Sequence, residues 1–291
     1  MGRRDGKKND SGVSGCVVVD KPAGMTSHDV VDRVRKALGT RKVGHAGTLD
    51  PDATGVLVLG VGKGTKLLQF VTGADKTYIG EVVFGTETST LDAAGEITAV
   101  HEMTLDPAAV ETAAQTFVGD IEQIPPMVSA VKVDGKRLHE LAREGITIER
   151  EPRPVSIRSF STQPTDDPLV YRADVSCSSG TYVRTLAADL GSVLGGGAHL
   201  RNLRRSAVGG FLLEAACPLE ELILQPIGLL LRDMPTLQVD EVVASQVATG
   251  RSLGPAPGTG QLAIADAEGD IIAVYEARDG ELRAVKVLNA D

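Results

Sequence analysis

Gly44-His45-Ala46-Gly47-Thr48-Leu49-Asp50-Pro51-Asp52-Ala53-Thr54-Gly55 runs directly into the apolar stretch Val56-Leu57-Val58-Leu59-Gly60-Val61. The stretch reads as a buried strand, because a short apolar run bounded by turn residues suits a sheet interior. The segment before it holds three glycines, which permit tight backbone geometry, and two aspartates flanking a proline. A carboxylate in such a turn can be a helix cap, an Asx-turn or a reacting group. On residue type alone, Asp50 and Asp52 leave all three open.

Upstream, residues 16–19 form a short β-rich run ending in Asp20-Lys21-Pro22. Thr26 or Ser27 then caps a helix whose apolar positions Val30, Val31, Val34 and Leu38 follow helical spacing, and Gly39 stops it. Downstream, Leu67, Leu68 and Val71 suggest a short helix, and residues 77–84 and 96–100 read as strands around a polar loop. Asp106-Pro107 opens a helix with apolar face Val110, Ala113, Ala114 and Phe117. Ile124-Pro125-Pro126 begins an insertion-like segment reaching Pro154, with a turn at Asp134-Gly135 and a short helix marked by Leu138, Leu141 and Ala142. Tyr171, Ala173, Val175 and Cys177 alternate as in a half-buried strand. Residues 181–190 then predict a helix closed by Gly191, with Arg184 in its first turn. Beyond Pro235 the pattern turns β-rich: a helix at 240–248, then strands at 262–265, 271–276 and 282–288 joined at Glu268-Gly269 and Asp279-Gly280. Strands and helices interleave without a strict βαβ repeat, so the expected class is α+β with a small C-terminal β-rich module.

The 291 residues carry a formal charge of −9, with 3% aromatics and no Trp. Taken whole, that places nucleic acid low among partners, since phosphate binders are usually basic and base-stacking platforms need aromatics. The charge is uneven, however. Residues 1–66 hold 12 Lys and Arg against 7 Asp and Glu, and residues 67–131 hold 1 against 10. Residues 132–235 balance at 13 against 13, with a basic group at 132–158, and residues 236–291 hold 4 against 9. No apolar stretch is long enough for a bilayer. The three cysteines are isolated, without a CxxC pair, so neither a disulfide framework nor a zinc knuckle is expected and a reducing cytoplasm is. The charged first 12 residues read as a disordered tail.

Several chemistries fail on their motifs. Gly60-Val61-Gly62-Lys63-Gly64-Thr65 lacks the GxxxxGK[ST] spacing of a phosphate loop. His139-Glu140 lacks a second zinc-binding histidine, and the zinc-deaminase signature is missing. What remains is nucleophilic or acid–base chemistry without a metal.

The segment 44–55 closely resembles the catalytic motif of the TruB family of tRNA pseudouridine synthases. The resemblance extends over about residues 14–235, in the family's motif order. Asp20-Lys21-Pro22-Ala23-Gly24-Met25-Thr26-Ser27 resembles the N-terminal DKPxGxxS element, and Asp75-Lys76-Thr77-Tyr78 the K-x-Y element. Residues 119–130 are similar to the approach to an RNA-gripping thumb. Cys177-Ser178-Ser179-Gly180-Thr181-Tyr182-Val183-Arg184-Thr185-Leu186 is similar to the arginine-bearing motif, and residues 197–205 to a further element. The tail resembles a compact PUA-type RNA-binding domain.

The resemblance implies a tail at 1–12, a catalytic domain at 13–235 with a thumb at about 124–154, and a PUA-like domain at 236–291. The implied sheet is mixed, largely antiparallel and flanked by helices. The implied activity is isomerisation of uridine 55 in the T loop of tRNA, by base flipping, with no cofactor and no metal. Asp50 matches the essential aspartate, Arg184 its arginine partner, and Tyr78 the aromatic that packs on the target base. His45, Asp92, Tyr182, Leu203 and Lys21 match positions at the pocket, with Lys21 and Tyr182 as its buttresses. Lys132, Lys136 and Arg137 fall in the thumb, where cations would meet phosphates. The implied partner is a T-arm stem-loop, engaged by a cytoplasmic monomer without an obligate protein partner or a membrane. A tRNA-folding chaperone role is a second implication. A third, the related RNA-guided synthase, is disfavoured by the long 124–154 segment, which resembles the stand-alone bacterial form.

Overall fold

The computed structural model describes residues 11–129, 132–133, 136–138, 145–146 and 148–288. The expected N-terminal tail, the turn at Asp134-Gly135 and the helix around Leu141 therefore lie almost wholly outside the described residues, as do the side chains of Lys132, Lys136 and Arg137.

Two apolar runs pair first. Gly15–Lys21 (β1) lies antiparallel to the strand that follows the Asp50 segment, with Val18 opposite Val58. Between them, Ser27–Leu38 forms α1. Its start is fixed by a reciprocal box: Thr26 Oγ1 accepts the Asp29 N–H at 3.1 Å, and the Asp29 carboxylate accepts the Thr26 N–H at 2.8 Å. A cap of this kind contributes about 1 kcal/mol. Gly39, at φ 63, supplies the left-handed stop. The valine face Val30, Val31 and Val34 is buried with Val17, Val19, Leu57 and Leu59. Val43–His45 (β2) and Thr54–Val61 (β3) complete this edge, and α2 (Leu68–Thr72) follows.

The next segment builds the sheet centre. Lys76–Phe84 (β4) alternates strictly between buried and half-buried positions. A small hairpin, Thr86–Thr88 (β5) and Ile97–Val100 (β6), leads to α3 (Pro107–Gln115), capped by Asp106. Gly119–Gln123 (β7) forms the sheet edge, and Lys132–Val133 (β8) pairs with Lys136–Arg137 (β9) as a separate two-residue hairpin. Arg153–Pro164 (β10) and Val170–Cys177 (β11) return to the sheet, followed by α4 (Val183–Val193). Ala198–Val208 (β12) and Phe211–Leu212 (β13) finish it. Among the described residues the sheet holds nine strands, in the path β1-β3-β12-β4-β11-β10-β7, with β2 on β3 and β13 on β12. All pairings are antiparallel except the short parallel contact of β12 with β3 at Thr54 and Gly55. This is the expected mixed, largely antiparallel α+β sheet.

The C-terminal module is a five-stranded sheet, β14 (Thr236–Gln238), β15 (Leu253–Pro255), β16 (Gln261–Ala265), β17 (Ile271–Arg278) and β18 (Glu281–Val287), with α5 (Glu241–Ala248) capped by Asp240. Its Ala263, Val274 and Leu288 share one buried cluster with Cys16, Val58 and Leu230, which seats it on the main body. Among the described residues, no helix is long and apolar enough to cross a membrane.

Two differences from the sequence reading have physical causes. The helix expected to close at Gly191 continues to Val193. Gly191 sits inside it because a Cβ there would come within 2.5 Å of the Ala198 backbone nitrogen. The glycine serves close helix–strand packing rather than termination. More important, β12 is a central strand that carries Arg201, Asn202, Arg204 and Arg205, so its sequence shows no apolar run.

Candidate active site

Asp50 lies in an irregular loop between β2 and β3, where the backbone cannot satisfy its own polar groups through a ladder. Three side chains do so instead. Ser27, the first residue of α1, accepts the Leu49 N–H at 2.8 Å and donates to its carbonyl at 3.2 Å. The Lys21 ammonium donates to Pro51 O at 2.9 Å, as well as to Pro22 O and Met25 O. Arg205, with no exposed surface, donates Nε to Val56 O, Nη1 to Thr48 O and Nη2 to Gly47 O at 2.8, 3.3 and 3.2 Å. Gly55 permits the parallel contact with β12: its φ is 103, and a Cβ would stand 2.1 Å from the Arg205 carbonyl oxygen.

The carboxylate held by this loop meets Arg184. Arg184 Nε lies 3.0 Å from Asp50 Oδ2, and Nη2 donates to Oδ1 at 3.3 Å. The two contacts form a fork, the geometry that a planar guanidinium offers a carboxylate. Arg184 has only 5% of its side chain exposed against 41% for Asp50, so the arginine is fixed and the carboxylate faces the cleft. The remaining donors are also used. Nη1 donates to Thr90 O at 3.0 Å and to Asp92 Oδ2 at 3.2 Å, and Nη2 donates to Val128 O at 3.0 Å. Asp92 is itself oriented, its Oδ1 accepting Thr90 Oγ1 at 2.5 Å and the Ala94 N–H at 3.2 Å. Withdrawal of water raises the Asp50 carboxyl above the ordinary 3.8. Arg184 opposes this, while Asp92 adds to it.

Two clefts meet at this ion pair. One, of about 240 Å³, is lined by Asp50, Tyr78, Tyr182, Arg184 and Leu203, with Lys76 and Arg205. The other, of about 490 Å³, is lined by Asp50, Asp92, Arg184, Leu203, Arg201 and Asn202. Tyr78, on β4, is nearly buried, and burial pushes its phenol up, so it stays neutral at physiological pH. Tyr182 precedes α4, with its backbone N–H and carbonyl both held by the buried Gln123 side chain at 2.8 and 3.1 Å.

The structure thus brings Asp50, Tyr78, Asp92, Tyr182, Arg184 and Leu203 together from five separate stretches of sequence. Lys21, expected as a buttress of the pocket, and His45, expected at it, both lie outside the lining of the two clefts. Lys21 is fully buried, with three carbonyls taking its three hydrogens, so it clamps the loop and has no surface to offer a ligand. Burial lowers its ammonium to about 8, with Asp52 and Asp50 opposing. His45 sits on β2 opposite Leu59, partly buried and outside the lining of both clefts, and burial lowers its imidazole. Sequence reasoning had not singled out Arg205, Lys76, Gln123 or Thr90. The first three stand inside segments quoted for their resemblance, so motif membership was the available signal. Among the described residues, no cluster of His, Cys, Asp and Glu has the geometry to hold a metal ion.

The chain is similar to known proteins along nearly its whole length. Residues 35–183 fit the model of the TruB family pseudouridylate synthase N-terminal domain. Residues 184–226 fit the tRNA pseudouridylate synthase B C-terminal domain, and residues 234–289 the C-terminal model of tRNA pseudouridine synthase II. The tRNA pseudouridine synthase B of Mycobacteroides abscessus is 44% identical over 289 residues, covering 94% of this chain and 96% of the relative. That of Corynebacterium aurimucosum is 45% identical over 284 residues, covering 94% and 96%. Among solved structures, a Cbf5-Nop10-Gar1 complex superposes with a TM-score of 0.74 at 23% identity, covering 95% of this chain and 85% of that one. An H/ACA RNP bound to a substrate RNA containing 2'-deoxyuridine gives 0.73 at 21%, covering 94% and 84%. At that identity the likeness speaks for the fold, and the fold is that of the pseudouridine synthases. By family model and by relatives spanning nearly its whole length, the chain belongs to the TruB family of pseudouridylate synthases.

Proposed function

We propose that this chain isomerises a uridine of tRNA to pseudouridine, at position 55 in the T loop, with Asp50 as the reacting carboxylate. The observation that carries the reading is the forked Asp50–Arg184 pair at the meeting of two clefts, with Tyr78 on the wall of one of them. The relatives named above are tRNA enzymes by name, which supports tRNA as the substrate.

The reaction conserves atoms. The N1–C1′ bond of the nucleotide breaks, the base turns, C5 joins C1′, the C5 proton leaves and N1 ends protonated. Two routes use the same carboxylate: attack at C1′ to give an ester, or removal of the 2′ proton to give a glycal. Both need Asp50 ionised, and the Arg184 fork opposes the protonation that burial favours. Both also need the uridine out of its stack, which costs a few kcal/mol that pocket contacts must offset. Tyr78 offers the base a flat face and a neutral hydroxyl. Lys132, Lys136 and Arg137 would meet the RNA backbone, setting its position without reading its bases.

The test is incubation of the purified protein with unmodified tRNA, followed by pseudouridine mapping. One modified site in the T loop, formed without a guide RNA or a second protein, is the expected result. No product with any tRNA overturns the proposal, and product only with a guide RNA supports the RNA-guided reading instead.

A further inference from the structure

The smaller cleft has a cationic floor that the Asp50–Arg184 chemistry does not use. Lys76 and Arg205 both line it, on the side that carries Tyr78. Lys76 is 6% exposed and Arg205 fully buried. Among the described residues neither is paired with a carboxylate. Lys76 Nζ donates to Thr72 O at 3.0 Å and Ala74 O at 2.7 Å, and its third hydrogen has no acceptor among the described residues. Arg205 donates to the loop carbonyls of Gly47 and Thr48 and to Val56 O on β3, and its side chain also hydrogen-bonds that of Tyr78. Two buried cations without a counter-ion are costly, because a charge out of water needs compensation. The packing nevertheless keeps both at the cleft that Tyr78 also lines.

We propose that Lys76, backed by Arg205, is a charge-stabilising residue for the detached uracil. The inference rests on the isomerase reading above. When N1–C1′ breaks, its electron pair goes to the base, onto N1 and the two carbonyl oxygens. C1′ bonds to the Asp50 carboxylate, or the 2′ proton passes to it. The base then carries a negative charge until C5 bonds to C1′, after which the C5 proton leaves and N1 gains a proton. A fixed cation beside that base, in a site poor in water, acts on charge present only after bond breaking and therefore speeds the step rather than tightening binding. The free Lys76 hydrogen is the donor available to the base.

Lys76 also has a titration to follow. Burial lowers its ammonium to about 8. Arg205 on β12 lowers it further, while Cys177 on β11 and Asp75 beside it raise it. Tyr78 stays protonated above this range, and burial holds the Cys177 thiol at about 11. Lys21 also falls to about 8, so only a change at Lys76 itself assigns the alkaline limb.

The experiment measures single-turnover rate against pH and RNA dissociation constant for wild type, Lys76→Met and Lys76→Arg, each checked for folding by circular dichroism. Lys76→Met is expected to slow the chemical step by ~10²-fold with RNA affinity unchanged. Lys76→Arg is expected to recover most of the rate and to move the alkaline limb above pH 8. A wild-type rate in Lys76→Met overturns the proposal. So does a folded Lys76→Arg as slow as Lys76→Met, because then shape rather than charge matters. Wild-type protein that modifies no tRNA sinks the isomerase reading itself, whereas active wild type with an indifferent Lys76→Met sinks this inference alone.

Discussion

Lys21 Nζ donates to the Pro51 carbonyl at 2.9 Å, one residue past Asp50, from a side chain with no exposed surface. The contact ties β1 to the reacting loop across 30 residues of sequence. Its ammonium also holds Pro22 and Met25, so the start of α1 and the loop share one cation.

Lys21→Met leaves those three carbonyls without donors. Each buried unsatisfied group costs about 1–3 kcal/mol, so a stability loss of about 3 kcal/mol is expected by denaturant titration. Because Lys21 drops from the ordinary 10.5 to about 8 in the fold, the unfolded chain binds more protons between those values. The wild-type advantage over Lys21→Met therefore grows as pH rises from about 8 towards 10.5. An advantage that shrinks over that window refutes the assignment.

Asp50→Asn keeps the shape of the carboxylate and removes its charge. Turnover should fall by ~10³-fold or more, while tRNA binding survives. Rapid-quench assays and filter binding on the same preparation check both halves, and retained turnover removes Asp50 from its role.

Arg184→Lys keeps a cation and loses the fork, since an ammonium cannot hold Asp50 in two places and also reach Asp92 and Val128. Burial already raises the Asp50 carboxyl above 3.8, and Arg184 opposes that rise. Activity needs the ionised form, so it is lost as pH falls through the Asp50 value. With the fork gone, that acid limb moves to higher pH, and the plateau rate drops by ~10²-fold. A pH–rate profile with an unmoved acid limb would show that the pair does not set the carboxylate's ionisation.

Gly55→Ala drives a Cβ to 2.1 Å from the Arg205 carbonyl oxygen at a φ of 103. Backbone on both sides must move, which separates β3 from β12 beneath the site. A loss of about 3 kcal/mol or more is expected in thermal or denaturant unfolding. A Gly55→Ala protein with wild-type stability would mean the parallel contact is dispensable.

Neutralising Lys136 and Arg137 together should weaken tRNA binding and flatten its salt dependence, because each lost phosphate contact releases fewer counterions. Binding measured over a salt series decides this, and an unchanged slope removes these two residues from the RNA interface.

Local signals carried the elements whose residues act on themselves. The Thr26–Asp29 box and Gly39 bound α1, Asp106 caps α3, and the valines of 56–61 mark β3, since caps and apolar periods are written in neighbouring residues. β12 stayed hidden for the opposite reason. Arg204 and Arg205 look like surface residues until Arg205 is seen to satisfy two carbonyls of the Asp50 loop and one of β3, some 150 residues away. For Lys21 the resemblance offered a buttress of the pocket, and the fold decides which three carbonyls it holds.

By itself the sequence determined the residue types: one motif carrying Asp50, a tyrosine two residues after a lysine, an arginine opening a helix, and an uneven charge within a total of −9. Tertiary structure decided which of these meet. Asp50 and Arg184 lie 134 residues apart, and their fork exists only because β3, β12 and β4 are adjacent in the sheet, with α4 following β11 on β4. It also decided which cations face the cleft and which hold the backbone, because hydrogen-bond satisfaction and the loss of water depend on neighbours in space, not on neighbours in the chain.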